Sequence, residues 1–208
     1  AIPNHEIKNG ITYLLPQHTK LSVFGDHNLM NLNAAKQVCA QLGIEEDGFN
    51  AAISSFAGAA KRLELISAVD QTNVYKDFAH SPSKLKATIH AVKSQFADRK
   101  LVAFMELHTF SSLNKEFLKE YKGAMSDADL AIVYIDAKTF EQKKMQPLNE
   151  QDIKQAFEDD NLLYFDNAEK LVAYLKSLDY QSTNLLMMSS GTYAGLDLLK
   201  LASELKTK

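Results

Sequence analysis

Leu101-Val102-Ala103-Phe104-Met105 and Leu130-Ala131-Ile132-Val133-Tyr134-Ile135 decide the fold. Each is a short, almost unbroken apolar run, too short for a buried helix and rich in β-prone residues. Such runs belong to strands covered on both faces, as in a parallel sheet. Leu162-Leu163-Tyr164-Phe165 and Leu185-Leu186-Met187-Met188 repeat the signal further on, and Leu63-Glu64-Leu65-Ile66 and Val74-Tyr75-Lys76-Asp77-Phe78 precede it. Between them lie helical patterns: Ser83–Phe96 with Leu85, Ile89, Val92 and Phe96 on one side, then segments at 113–125, 149–157, 168–178 and 196–205. Pro82 suits the first turn of the first of these. Strand and helix in alternation predict a Rossmann-like α/β layer with a mostly parallel sheet and right-handed crossovers.

The first 57 residues have another rhythm. Ile11–Leu15 and Leu21–Phe24 predict a hairpin around Pro16–Lys20. Leu29, Leu32, Ala35, Val38, Cys39 and Leu42 then form one apolar helix face that ends at Gly43. A second helix is expected from Phe49 to Phe56. This is too little apolar material for a stable domain, so residues 1–57 are expected to be the tail of a preceding domain and 58–208 a complete α/β domain. Glu141–Pro147 reads as a polar, solvated loop.

With 208 residues, 46% hydrophobic and 24% charged, the composition is that of an ordinary globular chain. The net charge of −3 gives no support for nucleic acid or an anionic membrane as partner. A single cysteine excludes an internal disulfide and fits a reducing compartment. No run approaches the ~20 apolar residues of a membrane span. The start, Ala1-Ile2-Pro3-Asn4-His5-Glu6, is unlike a secretory signal. A cytoplasmic chain is expected, and the missing initiator Met suggests a processed or excised piece.

Ligands of such sheets sit beyond the carboxyl ends of the strands. Asp77-Phe78-Ala79-His80-Ser81-Pro82 falls there. Asp77 either accepts from a ribose diol or, like Ser81, merely caps structure; His80 is placed to bond or stack on a nucleotide, and Ser81 and Pro82 open a helix whose start favours an anion. Glu106 and His108 share a side of their strand and suit polar substrate recognition. Ser189-Ser190-Gly191 serves either a ligand or plain turn geometry. The chain has eight glycines but no GxGxxG, GxxxxGK[ST] or GxSxG motif. No metal site is expected from the His and Asp spacing. Cys39, on an apolar helix face, suits packing better than nucleophilic chemistry.

Four stretches together resemble the Mur ligases, ATP-dependent amide-forming enzymes of peptidoglycan synthesis. Gly25-Asp26-His27-Asn28-Leu29-Met30-Asn31-Leu32-Asn33-Ala34-Ala35 is similar to the family's GxHNxxNxxAA segment. Phe56-Ala57-Gly58-Ala59-Ala60-Lys61-Arg62-Leu63-Glu64 resembles FxGxxRRxE. Asp77-Phe78-Ala79-His80-Ser81-Pro82 resembles DDxxHHP, with Ser81 in place of the second His. Met187-Met188-Ser189-Ser190-Gly191 resembles the closing MSxG turn. The likeness leans to the members that act on UDP-N-acetylmuramate, adding L-alanine or a recycled peptide. Where the alanine-adding members carry PHRYxR, this chain has Leu107-His108-Thr109-Phe110-Ser111-Ser112, without either arginine.

The resemblance implies that Asn28 and Asn31 face the adenine of ATP, Arg62 its phosphates and Asp77 its ribose. It implies that His80, Ser81 and His108 line the acceptor cleft. It also implies ATP and Mg²⁺ as cofactors, UDP-N-acetylmuramate and an amino acid or peptide as partners, and a central domain holding most of the Mg²⁺ ligands. The phosphate loop belongs to that central domain, so this fragment is expected to be inactive by itself. The competing expectations are a folylpolyglutamate-type ligase and a non-catalytic α/β nucleotide-binding or regulatory module. A receiver module would need an acidic pair and a late lysine that the strand ends do not supply.

Overall fold

The computed structural model describes residues 1–205. Its N-terminal lobe is an antiparallel meander of β1 (His5–Lys8), β2 (Ile11–Leu14) and β3 (Thr19–Leu21), followed by α1 (Asp26–Gln41) and α2 (Glu46–Ser54). The sequence predicts only a hairpin here. β1 escapes that reading because it is a polar edge strand with no buried side chain, and the third strand stops at Leu21, short of Phe24.

The apolar face of α1 is buried only at its start. Leu29 and Leu32 pack with Leu14, Leu21 and Phe49, whereas Val38 and Leu42 are 61% and 75% exposed. The continuous packed face expected from the periodicity is therefore corrected to its first two turns. Periodicity marks a side of a helix; only a neighbour can bury it.

The lobe is tied to the second unit through α3 (Pro82–Gln95). Phe24 stands edge-on to Tyr75 and Phe96, with ring centroids 5.7 and 6.0 Å apart. Gln95 accepts the Thr12 hydroxyl at 2.8 Å and donates to the Gly10 carbonyl at 2.8 Å, so its buried amide is satisfied on both ends.

The six-stranded sheet comprises β4 (Glu64–Val69), β5 (Thr72–Asp77), β6 (Lys100–Glu106), β7 (Leu130–Tyr134), β8 (Leu163–Phe165) and β9 (Thr183–Met188). Their order is β4-β5-β9-β6-β7-β8, parallel throughout except for β4, an antiparallel edge. The expected mostly parallel, Rossmann-like layer is present. Alternate residues feed opposite cores: Ala103, Met105, Leu186 and Met188 meet Leu85, Ile89 and Ile153, while Phe104, Leu185 and Met187 meet Leu171, Leu175 and Leu201.

The covering helices after α3 are α4 (Lys115–Leu118), α5 (Ala137–Lys143), α6 (Glu150–Phe157), α7 (Ala168–Ser177) and α8 (Leu198–Ser203). Three differ from the sequence expectation. The helix expected at 113–125 is one turn plus a 3₁₀ turn, Lys119–Tyr121, ended before the left-handed Gly123. The polar segment expected as a loop at Glu141–Pro147 begins inside α5, which Asp136 caps and buried Phe140 anchors. The last helix starts two residues late, at an Asp197 cap, after a 3₁₀ turn at Tyr193–Gly195. Among the described residues no helix is long and apolar enough to cross a membrane.

Candidate nucleotide cavity and the adjoining polar cluster

A cavity of about 690 Å³ lies where α1, the segment before β4, the carboxyl end of β5 and the start of α3 converge. That volume falls within the usual range for small-molecule sites, ~300–1,000 Å³. Asn28, Asn31, Arg62 and Asp77 all line it. Leu32, Ile53 and Phe56 supply apolar wall.

The approach of α1 to α3 depends on Gly25. It has φ +85°, and a Cβ there would lie 2.4 Å from the Cβ of Ala91. One turn into α1, the Asn28 side chain donates to the Phe24 carbonyl at 2.9 Å, which sets the orientation of its amide. Asn31 follows three residues later on the same helical face.

Asp77 is only 5% exposed, and both its carboxylate oxygens are engaged by backbone. One accepts from Leu63 at 2.7 Å and the other from Ala79 at 2.6 Å. The capping role that the sequence left open is thus present, and the same carboxylate forms part of the cavity wall. Arg62 extends its guanidinium over the Phe78 ring, 5.4 Å from the centroid.

Sequence reasoning did not single out His27 or Lys84, which also line the cavity. His27 sits inside the motif beside Asn28, and Lys84 in the first turn of α3, so both were within reach of the spacing. Burial holds the His27 pKa below its ordinary value; the Asp77 and Asp26 charges oppose this and Arg62 reinforces it.

His80, Ser81 and His108 do not line this cavity. They belong to a polar cluster beyond the ends of β5, β6 and β9. His80 Nδ1 lies 2.9 Å from the Phe78 carbonyl, and the Tyr121 hydroxyl donates to the His80 carbonyl at 2.5 Å. Ser81 precedes α3 in extended conformation, and its hydroxyl makes no capping bond. His108 Nε2 stands 3.5 Å from the Ser190 hydroxyl. Burial lowers the pKa of His108; Glu106 opposes that shift, and Lys143 and His80 add to it.

Glu106 organises the cluster. It is 5% exposed, accepts the Ser189 hydroxyl in a very short hydrogen bond, and accepts the Tyr193 N–H at 3.0 Å. Gly191 is pressed against it: a Cβ would lie 2.9 Å from Glu106 Oε2 and 3.1 Å from the His108 ring. Among the described residues no group of three or more His, Cys, Asp or Glu is placed to hold a metal ion.

A doubly wound α/β layer, with a cavity beyond a strand's carboxyl end where such folds place their ligands, defines a protein of the Rossmann-like class. More narrowly, the chain belongs to the Mur ligase family: the model for "Mur ligase, glutamate ligase domain" matches residues 61–191. A curated relative, the UDP-N-acetylmuramate–L-alanine ligase of Pelotomaculum thermopropionicum, is 32% identical over 191 residues, covering 89% of this chain and 41% of the relative. The chain spans less than half the length of the curated relatives it matches. Among solved structures it is similar to the UDP-N-acetylmuramate-alanine ligase of Thermotoga maritima, with TM-score 0.71 and 16% identity over 97% of this chain and 44% of that one. It is also similar to a Mycobacterium tuberculosis folylpolyglutamate synthase complexed with ADP, with TM-score 0.64 and 19% identity over 96% of this chain and 47% of that one.

Proposed function

We propose that the chain is the C-terminal part of an ATP-dependent ligase joining UDP-N-acetylmuramate to an amino acid or peptide in the cytoplasm, for peptidoglycan synthesis or recycling. In this reading residues 1–57 close the central ATP-binding domain and 58–208 form the C-terminal domain. The observation that carries it is the shared cavity: Asn28 and Asn31 on α1, Arg62 before β4 and Asp77 at the end of β5 line one space. The curated relative's name and the ADP in the solved neighbour support the same reading.

Asn28 spends one N–H on the Phe24 carbonyl, leaving its carbonyl oxygen for the adenine amine. Arg62 supplies positive charge to the phosphates, and Asp77, already positioned by two backbone N–H groups, has lone pairs left for the ribose. The γ-phosphoryl group passes from ATP to an oxygen of the muramyl carboxylate, releasing ADP. The acceptor amine then attacks the acyl carbon, the C–O bond to phosphate breaks, and the nitrogen loses a proton. His80, Ser81 and His108 face that acceptor. Mg²⁺ would offset phosphate charge, held by residues outside this chain. Such chemistry rests on positioning and charge rather than on a protein nucleophile.

Without a phosphate loop, the 208 residues are expected neither to hydrolyse ATP nor to form an amide. The test has two arms. The isolated chain should show no ATP-dependent turnover, and the protein with the upstream phosphate loop should ligate UDP-N-acetylmuramate to a member of an L-alanine, dipeptide and tripeptide panel. Turnover by the isolated chain removes the fragment reading; no ligation of any acceptor by the longer protein removes the ligase reading.

A further inference from the structure

The charged side chains on the cavity wall are Arg62, Lys84 and Asp77, alongside a His27 that burial keeps toward its neutral form. The only anion among them is already engaged, since both Asp77 oxygens accept backbone N–H groups. Neither cation has a carboxylate partner among the described residues. Other lysines do: Lys36 pairs with Glu46 at 2.6 Å, Lys93 with Asp129 at 2.7 Å and Lys76 with Glu64 at 3.1 Å. Two unpaired, solvent-exposed cations thus line one cavity from different elements, Arg62 from the loop before β4 and Lys84 from the first turn of α3.

We propose that Lys84 is a second cationic contact for the phosphate chain of a bound nucleotide, opposite Arg62, so that this chain grips phosphates without a phosphate loop. The inference rests on the nucleotide reading of the cavity and adds to it a residue and a ligand group. Electrostatic complementarity argues for it: both cations are exposed at the cavity and without a carboxylate partner, so a diphosphate can engage both whereas a nucleoside engages neither. The start of α3 adds to the positive potential there, because its Ser81 hydroxyl makes no cap bond. The Arg62 guanidinium lies over the Phe78 ring, 5.4 Å from its centroid, while Lys84 has a flexible stem able to follow the phosphates.

The test compares adenosine, AMP and ADP binding to the 208-residue chain with binding to Lys84→Met, which keeps the length of the stem and removes the charge. Titrations followed by amide chemical shifts read affinities into the millimolar range, so weak binding is still measured. The wild type should bind ADP about tenfold tighter than adenosine, the two exposed cations sharing that preference. Lys84→Met should lose about threefold of it, with Arg62 keeping the rest, retain its adenosine affinity, and show a flatter salt dependence for ADP. Lys84→Arg should retain the preference. If Lys84→Met binds all three ligands like the wild type, or weakens adenosine as much as ADP, Lys84 is no phosphate contact, although the nucleotide cavity stands. If the wild type binds neither adenosine nor ADP, the nucleotide reading falls as well.

Discussion

The Asp77 carboxylate accepts the Leu63 N–H at 2.7 Å and so secures a residue with φ +44°, a left-handed conformation unusual for leucine. The bond joins the end of β5 to the loop that carries Arg62. The proposed ribose contact is therefore also a structural clamp, and simple truncation would remove both.

Asp77→Ala should destabilise the chain by about 2–5 kcal/mol, since it strands the buried N–H groups of Leu63 and Ala79. Asp77→Asn keeps one acceptor oxygen and should cost less than the alanine change. Urea unfolding measures both, and a loss under about 1 kcal/mol for alanine would show that the clamp carries little. Nucleotide kinetics of Asp77→Ala should be compared only at temperatures where the variant is fully folded.

Gly25→Ala should cost about 2–4 kcal/mol from two sources. One is the positive φ of +85°; the other is the 2.4 Å approach of the new Cβ to Ala91. Adding Ala91→Gly should recover the contact part and leave the backbone part. Ala91→Gly alone must be measured too, since glycine inside α3 costs about 1 kcal/mol; if Gly25→Ala costs as much in the Ala91→Gly background as in the wild type, the whole effect lies in the backbone.

Gly191→Ala should disturb the acceptor side and spare the nucleotide cavity. The added methyl meets Glu106 Oε2 at 2.9 Å and the His108 ring at 3.1 Å, so one of them must move. A stability loss of about 1–3 kcal/mol is expected. The amide shifts of α1 and of the loop around Arg62 should stay in place. Shifts spreading evenly into those elements would contradict the separation of the two clusters.

Acid should weaken the fold partly through His27. Burial holds its folded pKa below the ordinary 6.5. Its contribution is complete above pH 6.5, where both states are neutral. It is lost as pH falls below 6.5, because the unfolded chain then binds a proton the folded chain resists, at most about 1.4 kcal/mol per pH unit. His27→Gln should flatten the stability profile between pH 7 and 5. His108 is shifted the same way, so some slope should remain. An unchanged profile would exclude His27 as a contributor.

The sequence by itself determined the strands of the parallel sheet and most of the helices, while the polar edge strand β1 escaped it. The runs at Leu101–Met105, Leu130–Ile135 and Leu185–Met188 are apolar on both alternating faces, and that local pattern has few other uses. It also placed Asn28, Arg62 and Asp77 in recognisable spacings. Only the tertiary structure decided that β9, last in the chain, enters between β5 and β6, because an apolar strand fits any interior slot and its neighbours are chosen by long-range packing. The same holds for the antiparallel β4 edge, the half-exposed face of α1, the doubly engaged oxygens of Asp77, and the lining of one cavity by both Arg62 and Lys84. Those depend on where separate elements come to rest, which periods of two and of 3.6 residues do not encode.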